Sequence, residues 1–527
     1  MSIRDRWIHL VISALVWLMA DVATATCPAE LPRPDVDAYR SSTWGLNQHN
    51  TRFQAASALS TTNVDTLRLQ WVYKLANDTP RSYPLVSEDT IFIGDGGRGV
   101  VALDRATGCE RWVHEHTGYI ASAILPFSHS SGPALLFNDR ITGLHAISAA
   151  DGRLLWHAKF SEEPLAWFSG TPLVVAQRVF VPIASQEVGL ALNPLYGCCT
   201  TSGGMAAFDL EQGQLLWYLP TIKEAAQETG SHWLFVQKYG PSGAPVWGAP
   251  SYDAEHSTVF FGTGQNYSHP TTDTSDALFA VDAATGEVLW YRQFTANDAY
   301  TAACNWMALN HPNCPKPTGP DVDFGAPTLL AHNRRGQQLL LAGQKSGDVY
   351  AVNPRDGSTV WHQKIGRGGI IGGIHWGLAV NQTLNLVFAP ISDKAILDFP
   401  APGTASPGLY ALDLDDGRLR WHYQRQSRCP ETACEYGLSA APIAANDIVV
   451  TGSMDGYLEI YRAADGKRLW HFDAWQEFAA VNGPATGGAF DAHGPMLADH
   501  QLMVTAGYSY VGAQRGGNAF LVFEATP

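Results

Sequence analysis

The sequence lacks the cysteine spacings of common zinc and haem sites. Its eight cysteines include no C-x-x-C pair and no C-x-x-C-H motif, so we expect neither a cysteine zinc site nor a covalently attached c-type haem. The chain also has no G-x-S-x-G turn, which leaves a hydrolase without support. No run reaches the roughly 18 apolar residues of a membrane-spanning helix, so we expect no membrane span.

Positive charge is scarce. The chain of 527 residues has 34 lysines and arginines against 49 aspartates and glutamates, and its net charge is −15. An acidic surface without a basic run argues against nucleic acid or an anionic membrane as a partner. A small-molecule substrate or a basic protein fits this charge better.

Residues 1–25 have the features of a signal peptide. Two arginines precede an apolar stretch, and Ala23-Thr-Ala25 is a small-residue cleavage site. Because Thr26 rather than Gly or Ala precedes Cys27, we expect no lipid anchor. The sequence predicts an exported protein, periplasmic or secreted, in which residues 26–527 form one domain.

A stretch ending in Gly, three further residues and Trp occurs seven times. The copies are Val101–Trp112, His145–Trp156, Ala206–Trp217, Phe279–Trp290, Tyr350–Trp361, Tyr410–Trp421 and Glu459–Trp470. Each follows a short apolar run typical of a buried strand. Repeats of this kind are typical of β-propellers, in which each unit buries its apolar face against its neighbours. We expect each Trp to dock its outer strand on the next blade.

The two ends of the chain supply the parts of one more repeat. Trp71 has the outer strand without the turn motif, whereas the run from Gly517 to Ala525 has a strand without the Trp. Joining them would close the ring and remove its open edges. The fold class predicted is therefore all-β, an eight-bladed propeller closed by its N- and C-terminal strands.

A second repeat precedes the first strand of several blades. These entrance segments are Arg81–Pro84, Ser169–Pro172, Trp247–Pro250, Phe324–Pro327 and Ser439–Pro442. Small residues before a proline indicate innermost strands that enter a crowded channel. Side chains at these segments should converge on one mouth of the channel.

Five residues depart from the repeats. Trp247 stands where other entrance segments have Ser, and Asp323 comes just before Phe324; Glu187, Asn266 and Lys345 follow inner strands. Carboxylate and amide oxygens are ligands that Ca²⁺ takes, and a lysine can bind a carbonyl or carboxylate. The alternatives are a core Trp, a solvated loop Glu, an Asx-turn Asn and an ordinary turn Lys.

An even number of cysteines in an exported chain indicates four disulfides. Cys304 and Cys314, and Cys429 and Cys434, are close enough in sequence to close short loops, which leaves Cys27 for Cys109. The adjacent Cys198 and Cys199 are predicted to form a vicinal disulfide.

The order and spacing of several motifs resemble the pyrroloquinoline quinone (PQQ)-dependent alcohol dehydrogenases, most closely the polyvinyl alcohol dehydrogenase-like branch. The matching stretches are WGLNQHNTRF from Trp44, NPLYGCCT from Asn193, PVWGAPSYD from Pro245, GPDVDFGAP from Gly319, GQKSGDVYAVNP from Gly343 and GGIHWG from Gly372. The resemblance covers nearly all of residues 26–527. It implies PQQ and Ca²⁺ as cofactors and an alcohol as substrate.

The resemblance also implies roles for individual residues. Trp247 would be the floor on which the quinone stacks, Lys345 would bind its carbonyl oxygens, and Asp323 would be the general base. The Ca²⁺ ligands would be Glu187, Asn266 and Asp323, with Gln265 as the alternative to Asn266. Thr171 and Trp376 would also contact the cofactor. Cys198 and Cys199 are candidates for the disulfide that covers the opposite quinone face, although in many family members that disulfide lies in an earlier blade.

Two differences from the branch concern positive charge. Its members often carry an arginine shortly after the paired cysteines and another in an early blade, where this chain has Thr201-Ser202 and Ile120-Ala121. Electrons would pass to a separate acceptor such as cytochrome c. The alternative function is a non-catalytic propeller that acts as a binding or assembly scaffold.

Overall fold

Most of the regular structure is β-strand. The computed structural model describes residues 27–526 except 29–30, 37, 233–234, 305–309, 394–402, 430–433 and 510–513. The helical segments are one α-helical turn, Glu187–Leu190, and the 3₁₀ turns Val64–Thr66 and Ala302–Cys304. None of the helices in this described part is long and apolar enough to cross a membrane. The predicted signal peptide lies outside the described residues.

In the described residues the strands form eight antiparallel blades, of which seven have four strands and blade 3 has one more, and this confirms the predicted eight-bladed propeller. From the innermost strand outward, blades 1 to 4 are Leu85–Val86, Thr90–Asp95, Gly99–Asp104 and Glu110–Glu115; Leu125–His129, Gly132–Asp139, Gly143–Ser148 and Leu154–Ala158; Leu173–Val175, Arg178–Ser185, Gly204–Asp209 and Leu215–Pro220; and Ser251–Asp253, Thr258–Gly262, Ala277–Asp282 and Val288–Gln293. Blades 5 to 7 are Leu329–His332, Gln338–Gly343, Asp348–Val352 and Thr359–Lys364; Ala379–Asn381, Leu386–Ile391, Gly408–Asp413 and Leu419–Gln424; and Ile443–Ala445, Ile448–Gly452, Tyr457–Arg462 and Arg468–Asp473.

Blade 8 joins the two ends of the chain, as predicted. Its inner strands are Met496–Ala498, Gln501–Ala506 and Ala519–Glu524, and its outer strand is Arg68–Lys74. Trp71 pairs with Val522 across this last ladder. The ring is therefore closed by hydrogen bonds between strands that lie more than 400 residues apart in sequence.

Further pairings lie outside the eight ladders. Ala166–Trp167 extends blade 3 by pairing with the end of Arg178–Ser185. The additional two-stranded sheets pair Gln227–His232 with Val236–Gly240, Ser242–Gly243 with Asn266–Ser268, and Glu477–Ala480 with Gly483–Thr486.

The repeated Gly and Trp form the contact between neighbouring blades. Each Gly has a φ between +69° and +76°, a conformation that L-residues with a side chain avoid. A Cβ there would lie 2.5–2.8 Å from the indole of the preceding blade. The pairs are Trp71 with Gly108, Trp112 with Gly152, Trp156 with Gly213, Trp217 with Gly286, Trp290 with Gly357, Trp361 with Gly417 and Trp421 with Gly466. The turn thus needs glycine both for its backbone and for the space under the ring.

Most of these indoles also donate a hydrogen bond to the blade they cover. Trp290 Nε1 donates to the carbonyl of Pro354 at 2.9 Å, and Trp361 Nε1 donates to that of Leu414 at 2.9 Å. Trp470, the last of the series, packs edge-on against Phe523 of blade 8 with ring centroids 5.4 Å apart. The predicted docking role of the Trp residues is confirmed.

A segment before the first strand joins the inner ends of several blades. The Nδ2 of Asn50 donates to the carbonyls of Pro250 at 2.8 Å and Thr328 at 3.1 Å, in blades 4 and 5. The buried guanidinium of Arg52 donates to Pro442 at 2.6 Å and Pro495 at 2.9 Å, in blades 7 and 8. Because these carbonyls precede innermost strands, the segment ties opposite sides of the channel together.

All four predicted disulfides are present: Cys27–Cys109, Cys198–Cys199, Cys304–Cys314 and Cys429–Cys434. Beside the third, Asn313 Nδ2 donates to the carbonyls of Asn193 and Tyr196, both at 3.0 Å. This loop therefore anchors the segment that follows the helix Glu187–Leu190.

Substitution of a repeat glycine should destabilise the ring more than the backbone conformation alone explains. In Gly357→Ala, we expect the positive φ to cost about 1–2 kcal/mol and the contact with Trp290 to add about 1–3 kcal/mol. Gly336→Ala is the matched control, because Gly336 has φ +73° with no atom within 4 Å of its Cβ position. Thermal unfolding of the two variants measures the difference, and equal midpoints would contradict a role for the ring contact.

Candidate active site at the channel mouth

The site is assembled from two kinds of segment that reach the same mouth of the channel. Trp247 and Asp323 belong to the entrance segments of blades 4 and 5, and Lys345 follows the second strand of blade 5. In an antiparallel blade, the start of the first strand and the end of the second lie at the same edge. The fold thus places side chains that are distant in sequence side by side.

Asp323 and Lys345 form a buried ion pair. Lys345 Nζ lies 2.8 Å from Asp323 Oδ2 and 3.2 Å from Asp321 Oδ1. The backbone N–H of Gln265 donates to Asp323 Oδ1 at 2.9 Å. A Cβ on Gly264 would lie 2.6 Å from that same oxygen, so the glycine makes room for the carboxylate.

Trp247 forms one wall of the same site. Its Nε1 donates to Asp323 Oδ2 at 3.2 Å, and Lys345 Nζ lies 5.4 Å from its ring centroid. The ring meets Trp376 edge-on, with centroids 5.7 Å apart. Trp376 belongs to the entrance of blade 6, which is not a neighbour of blade 4 in the ring, so Trp247 reaches toward the channel axis.

Glu187 lies beside the vicinal disulfide, in a dense set of hydrogen bonds. Its side chain is buried, and its carboxylate accepts bonds from the N–H of Thr200 at 2.9 Å, the N–H of Thr201 at 2.7 Å and the hydroxyl of Tyr196 at 2.7 Å. The hydroxyl of Thr201 also donates, at 2.5 Å. The Glu187 carboxylate thus accepts hydrogen bonds from both backbone and hydroxyl donors.

Gln265 and Asn266 differ sharply in their surroundings. The Asn266 amide is fully hydrogen-bonded to neighbouring segments. Its Nδ2 donates to Ser242 O and Thr272 Oγ1, both at 3.1 Å, and its Oδ1 accepts from the N–H of Thr272 at 2.9 Å. Gln265 Oε1 is buried with no hydrogen-bond partner among the described residues. A buried acceptor without a partner is costly, and Gln265 therefore has the free oxygen of the two.

The buried phenol of Tyr267 lies within electrostatic range of several of the charged candidate residues. Burial raises the pKa of the Tyr267 phenol well above its usual value, and the charges of Asp323 and Glu187 raise it further. The charge of Asp321 also raises the pKa of this phenol, and the charge of Lys345 lowers it. Glu187, Asp323 and Lys345 therefore all lie within electrostatic range of one buried side chain, whereas the Asn266 amide is hydrogen-bonded to Ser242 and Thr272.

Carboxyl groups that the sequence did not single out extend the site inward. Burial raises the pKa of Asp321 to about 8, against the lowering effect of Lys345. Burial also raises the pKa of Asp298 to about 6, and it raises that of Asp276 well above its usual range with help from the Asp298 charge. Buried carboxyl groups therefore outnumber the Lys345 ammonium at this mouth, and burial disfavours their charged forms. Asp321 lies two residues before Asp323 in the sequence, and this proximity is the signal that could have indicated it.

A buried arginine at the mouth was also missed. The Arg81 guanidinium lies 4.4 Å from the ring centroid of Trp376, and its Nη2 donates to the carbonyl of Ser169 at 3.2 Å. Arg81 opens the entrance segment of blade 1, at a position where other segments have Ser, Trp or Phe. It supplies buried positive charge at this mouth.

The remaining candidates lie at the same mouth with other contacts. Thr171 Oγ1 accepts the N–H of Ala123 at 3.1 Å, and Trp376 Nε1 donates to Asp491 Oδ1 at 3.1 Å. Cys198 and Cys199 are buried and pack with Tyr267. The vicinal disulfide therefore lies beside Tyr267.

Both the sequence and the fold are similar to those of known proteins. A family model described as outer membrane protein assembly factor BamB matches residues 55–235 and 345–506. The polyvinylalcohol dehydrogenase of Sphingopyxis sp. (strain 113P3) is 30% identical over 488 residues, 90% of this chain and 73% of that protein. The quinoprotein ethanol dehydrogenase of Pseudomonas putida is 21% identical over 564 residues, 88% of this chain and 86% of that protein.

Among solved structures, the quinohemoprotein alcohol dehydrogenase from Comamonas testosteroni has the same fold. It superposes with a TM-score of 0.67 at 17% identity, covering 93% of this chain and 81% of that chain.

The position of Trp247 depends on the glycine beneath its ring. A Cβ on Gly325 would lie 1.8 Å from Trp247 Cη2, so Gly325→Ala must displace the indole. We expect a weaker near-ultraviolet circular dichroism signal from the aromatic cluster and a stability loss of about 1–3 kcal/mol, as for an overpacked core. Gly189→Ala is the control, because no atom lies within 4 Å of that Cβ position. An unchanged spectrum for Gly325→Ala would contradict the packing described.

Proposed function

Because this chain belongs to the PQQ-dependent alcohol dehydrogenases, in the branch of the polyvinyl alcohol dehydrogenases, we propose that Trp247, Asp323 and Lys345 form its catalytic centre. The chain is an oxidoreductase that oxidises an alcohol. We propose a secondary or polymeric alcohol as substrate and a ketone or aldehyde as product, since the 30% identical relative is named for a polymeric alcohol.

The observation that carries the assignment is the contact between Asp323, Lys345 and Trp247. One carboxylate oxygen, Asp323 Oδ2, faces both the Lys345 ammonium at 2.8 Å and the Trp247 indole N–H at 3.2 Å. Burying a carboxylate and a lysine is unfavourable unless they are paired and hydrogen-bonded. A propeller needs no such group to close its ring, so the arrangement is better explained by chemistry at the mouth.

The residues present fit PQQ and a divalent cation. The buried carboxyls of Asp321, Asp323 and Asp298 supply several oxygens, and Gln265 Oε1, which has no hydrogen-bond partner among the described residues, supplies a neutral one. Hard oxygen ligands of this kind suit Ca²⁺. We propose Asp323 and Glu187 as ligands, as the resemblance implies, and the contacts of the two amides favour Gln265 over Asn266 as the third.

The organic cofactor would lie against Trp247. Trp247 would bear the ring system, Lys345 would face its carbonyl oxygens, and Arg81 would offset its carboxylates in place of the two missing arginines. When bound, PQQ accepts the two electrons of the alcohol, and the metal ion withdraws charge from its carbonyl as a Lewis acid.

The reaction also requires the alcohol to lose its hydroxyl proton. Asp323 Oδ2 is the proposed acceptor, because it is the carboxylate oxygen that faces the mouth with Trp247 and Lys345. Lys345 holds this carboxylate in place through their ion pair. Partial burial of Trp247 and full burial of Asp323 keep bulk water from the reacting hydroxyl.

The assembly scaffold is the alternative that the family description suggests. A scaffold of this fold needs the Trp and Gly of the repeats but not the buried acid and lysine. For the enzyme, we propose an exported, periplasmic location and a separate electron acceptor such as cytochrome c. Reconstitution with PQQ and Ca²⁺, followed by dye reduction with a series of alcohols, tests the function directly, and no alcohol-dependent reduction would favour the scaffold.

Replacing the proposed base should separate proton transfer from metal binding. In Asp323→Asn an oxygen ligand remains but the amide is no base, so we expect turnover to fall by about 10²–10⁴-fold. In Glu187→Gln we expect weaker metal binding, with activity that partly returns at high Ca²⁺. Steady-state dye reduction over a range of Ca²⁺ concentrations measures both effects.

Circular dichroism shows whether these two variants are folded. Equal rescue of both by Ca²⁺ would contradict the role of Asp323 as base and leave it as a ligand. Full activity of Asp323→Asn would remove it from the mechanism.

The two neighbouring amides provide a matched pair for the metal site. Gln265→Leu should lose the free Oε1 and bind the ion more weakly, whereas Asn266→Leu should disturb the Thr272 loop and lower stability with less effect on the ion. Terbium luminescence sensitised by tryptophan measures ion affinity without turnover. The opposite ranking of affinities would support Asn266 as the ligand.

A further inference from the structure

Two histidines and an aspartate converge at the junction of blades 1 and 2, away from the site described above. His116 Nε2 lies 2.7 Å from Asp139 Oδ2, and His145 Nε2 lies 3.3 Å from that same oxygen. All three candidate ligand atoms lie within 4.8 Å of one another. The side chain of Asp139 is 1% exposed and that of His145 8%, so the group is largely closed to solvent.

These residues come from separate elements and meet through the fold. His116 follows the outer strand of blade 1, Asp139 ends the second strand of blade 2, and His145 lies in the third strand of blade 2. The packing around His145 fixes its ring, which stacks on Phe137 with centroids 5.0 Å apart. Orientation of a histidine by its neighbours is what a preformed metal site requires.

A glycine allows the ligand atoms to lie this close to the backbone. A Cβ on Gly118 would lie 2.4 Å from His116 Nε2 and 2.6 Å from Asp139 Oδ2. Thr142 Oγ1 lies 3.0 Å from His145 Nε2 and also bonds Asp139 Oδ2. Two imidazole nitrogens, a carboxylate oxygen and a hydroxyl thus converge on one point.

We propose that His116, Asp139 and His145 bind a divalent transition-metal ion of the zinc class. Imidazole nitrogens with one carboxylate suit such ions, whereas Ca²⁺ takes six to eight oxygens. Three protein ligands leave a fourth position for Thr142 Oγ1 or water. This site shares no residue with the proposed Ca²⁺ ligands.

The ion would hold the segment that connects blade 1 to blade 2. In this segment, Ile120 forms a backbone bridge with Asp139. The adjacent Asn138 donates to the carbonyls of Phe168 at 2.9 Å and Gly170 at 3.3 Å, in the entrance segment of blade 3. Binding should therefore stabilise the folded chain from the junction toward the channel mouth.

Zinc titration of the full chain tests the proposal. The protein is treated with a chelator, returned to saturating Ca²⁺ and titrated with Zn²⁺ against a chromophoric chelator. We expect one tight equivalent, whose Kd rises more than about 100-fold in His116→Asn and in His145→Asn, beyond what loss of an outer-shell partner costs. X-ray absorption of the zinc form should show nitrogen ligands at about 2.0–2.1 Å.

Two further variants make the test specific. Gly118→Ala would displace the His116 and Asp139 ligand atoms without removing either of them, so it should also weaken Zn²⁺ binding. His256→Asn is the matched control: His256 Nδ1 lies 3.2 Å from Asp253 Oδ2, and we expect its loss to leave the tight equivalent intact. No tight equivalent in the unchanged protein, or equal affinity in His116→Asn, His145→Asn and His256→Asn, would overturn the proposal and leave a hydrogen-bonded His–Asp–His cluster.

Discussion

The contact of each Trp ring with the glycine turn of the next blade is the constraint on which the rest of the structure depends. It repeats from Trp71 on Gly108 to Trp421 on Gly466, and it fixes the distance and angle between neighbouring sheets. Once these are fixed, eight blades close the ring and all entrance segments face one channel mouth. The candidate catalytic residues are close together because the outer contacts set the position of the inner strands.

The repeats made much of this predictable from sequence. Seven copies of one turn define what a blade requires, so Trp247 and Asp323 stand out as residues that a blade does not need. The pairing of Trp71 with the C-terminal strand followed from two incomplete repeats, each with the part that the other lacks. Internal repetition thus supplied a reference within a single sequence, for the fold and for part of the site.

The rest depends on side-chain directions in loops, where no period applies. Sequence placed Asn266 and Gln265 one residue apart, but only the fold shows that the loop engages the first amide and leaves Oε1 of the second without a partner among the described residues. Arg81 departs from the other entrance segments as Trp247 does, but only the fold brings its guanidinium to the ring of Trp376, and nothing local marks Asp298. The cluster of His116, Asp139 and His145 is likewise invisible in sequence, because it joins two blades across a turn.

Buried charge links the stability of the site to its proposed chemistry. Burial raises the pKa of Asp321 to about 8 and that of Asp298 to about 6, so the fold holds carboxyls in a place where their charged forms are disfavoured. The single positive charge of Lys345 offsets this cost only in part, because it is shared between Asp321 and Asp323. A divalent cation would favour the charged forms of these groups, and the desolvation that opposes ionisation in its absence would strengthen its attraction to them. The ring contacts keep the carboxyls in place despite this cost, and a rigid propeller is therefore suited to hold a site that is complete only with its cation.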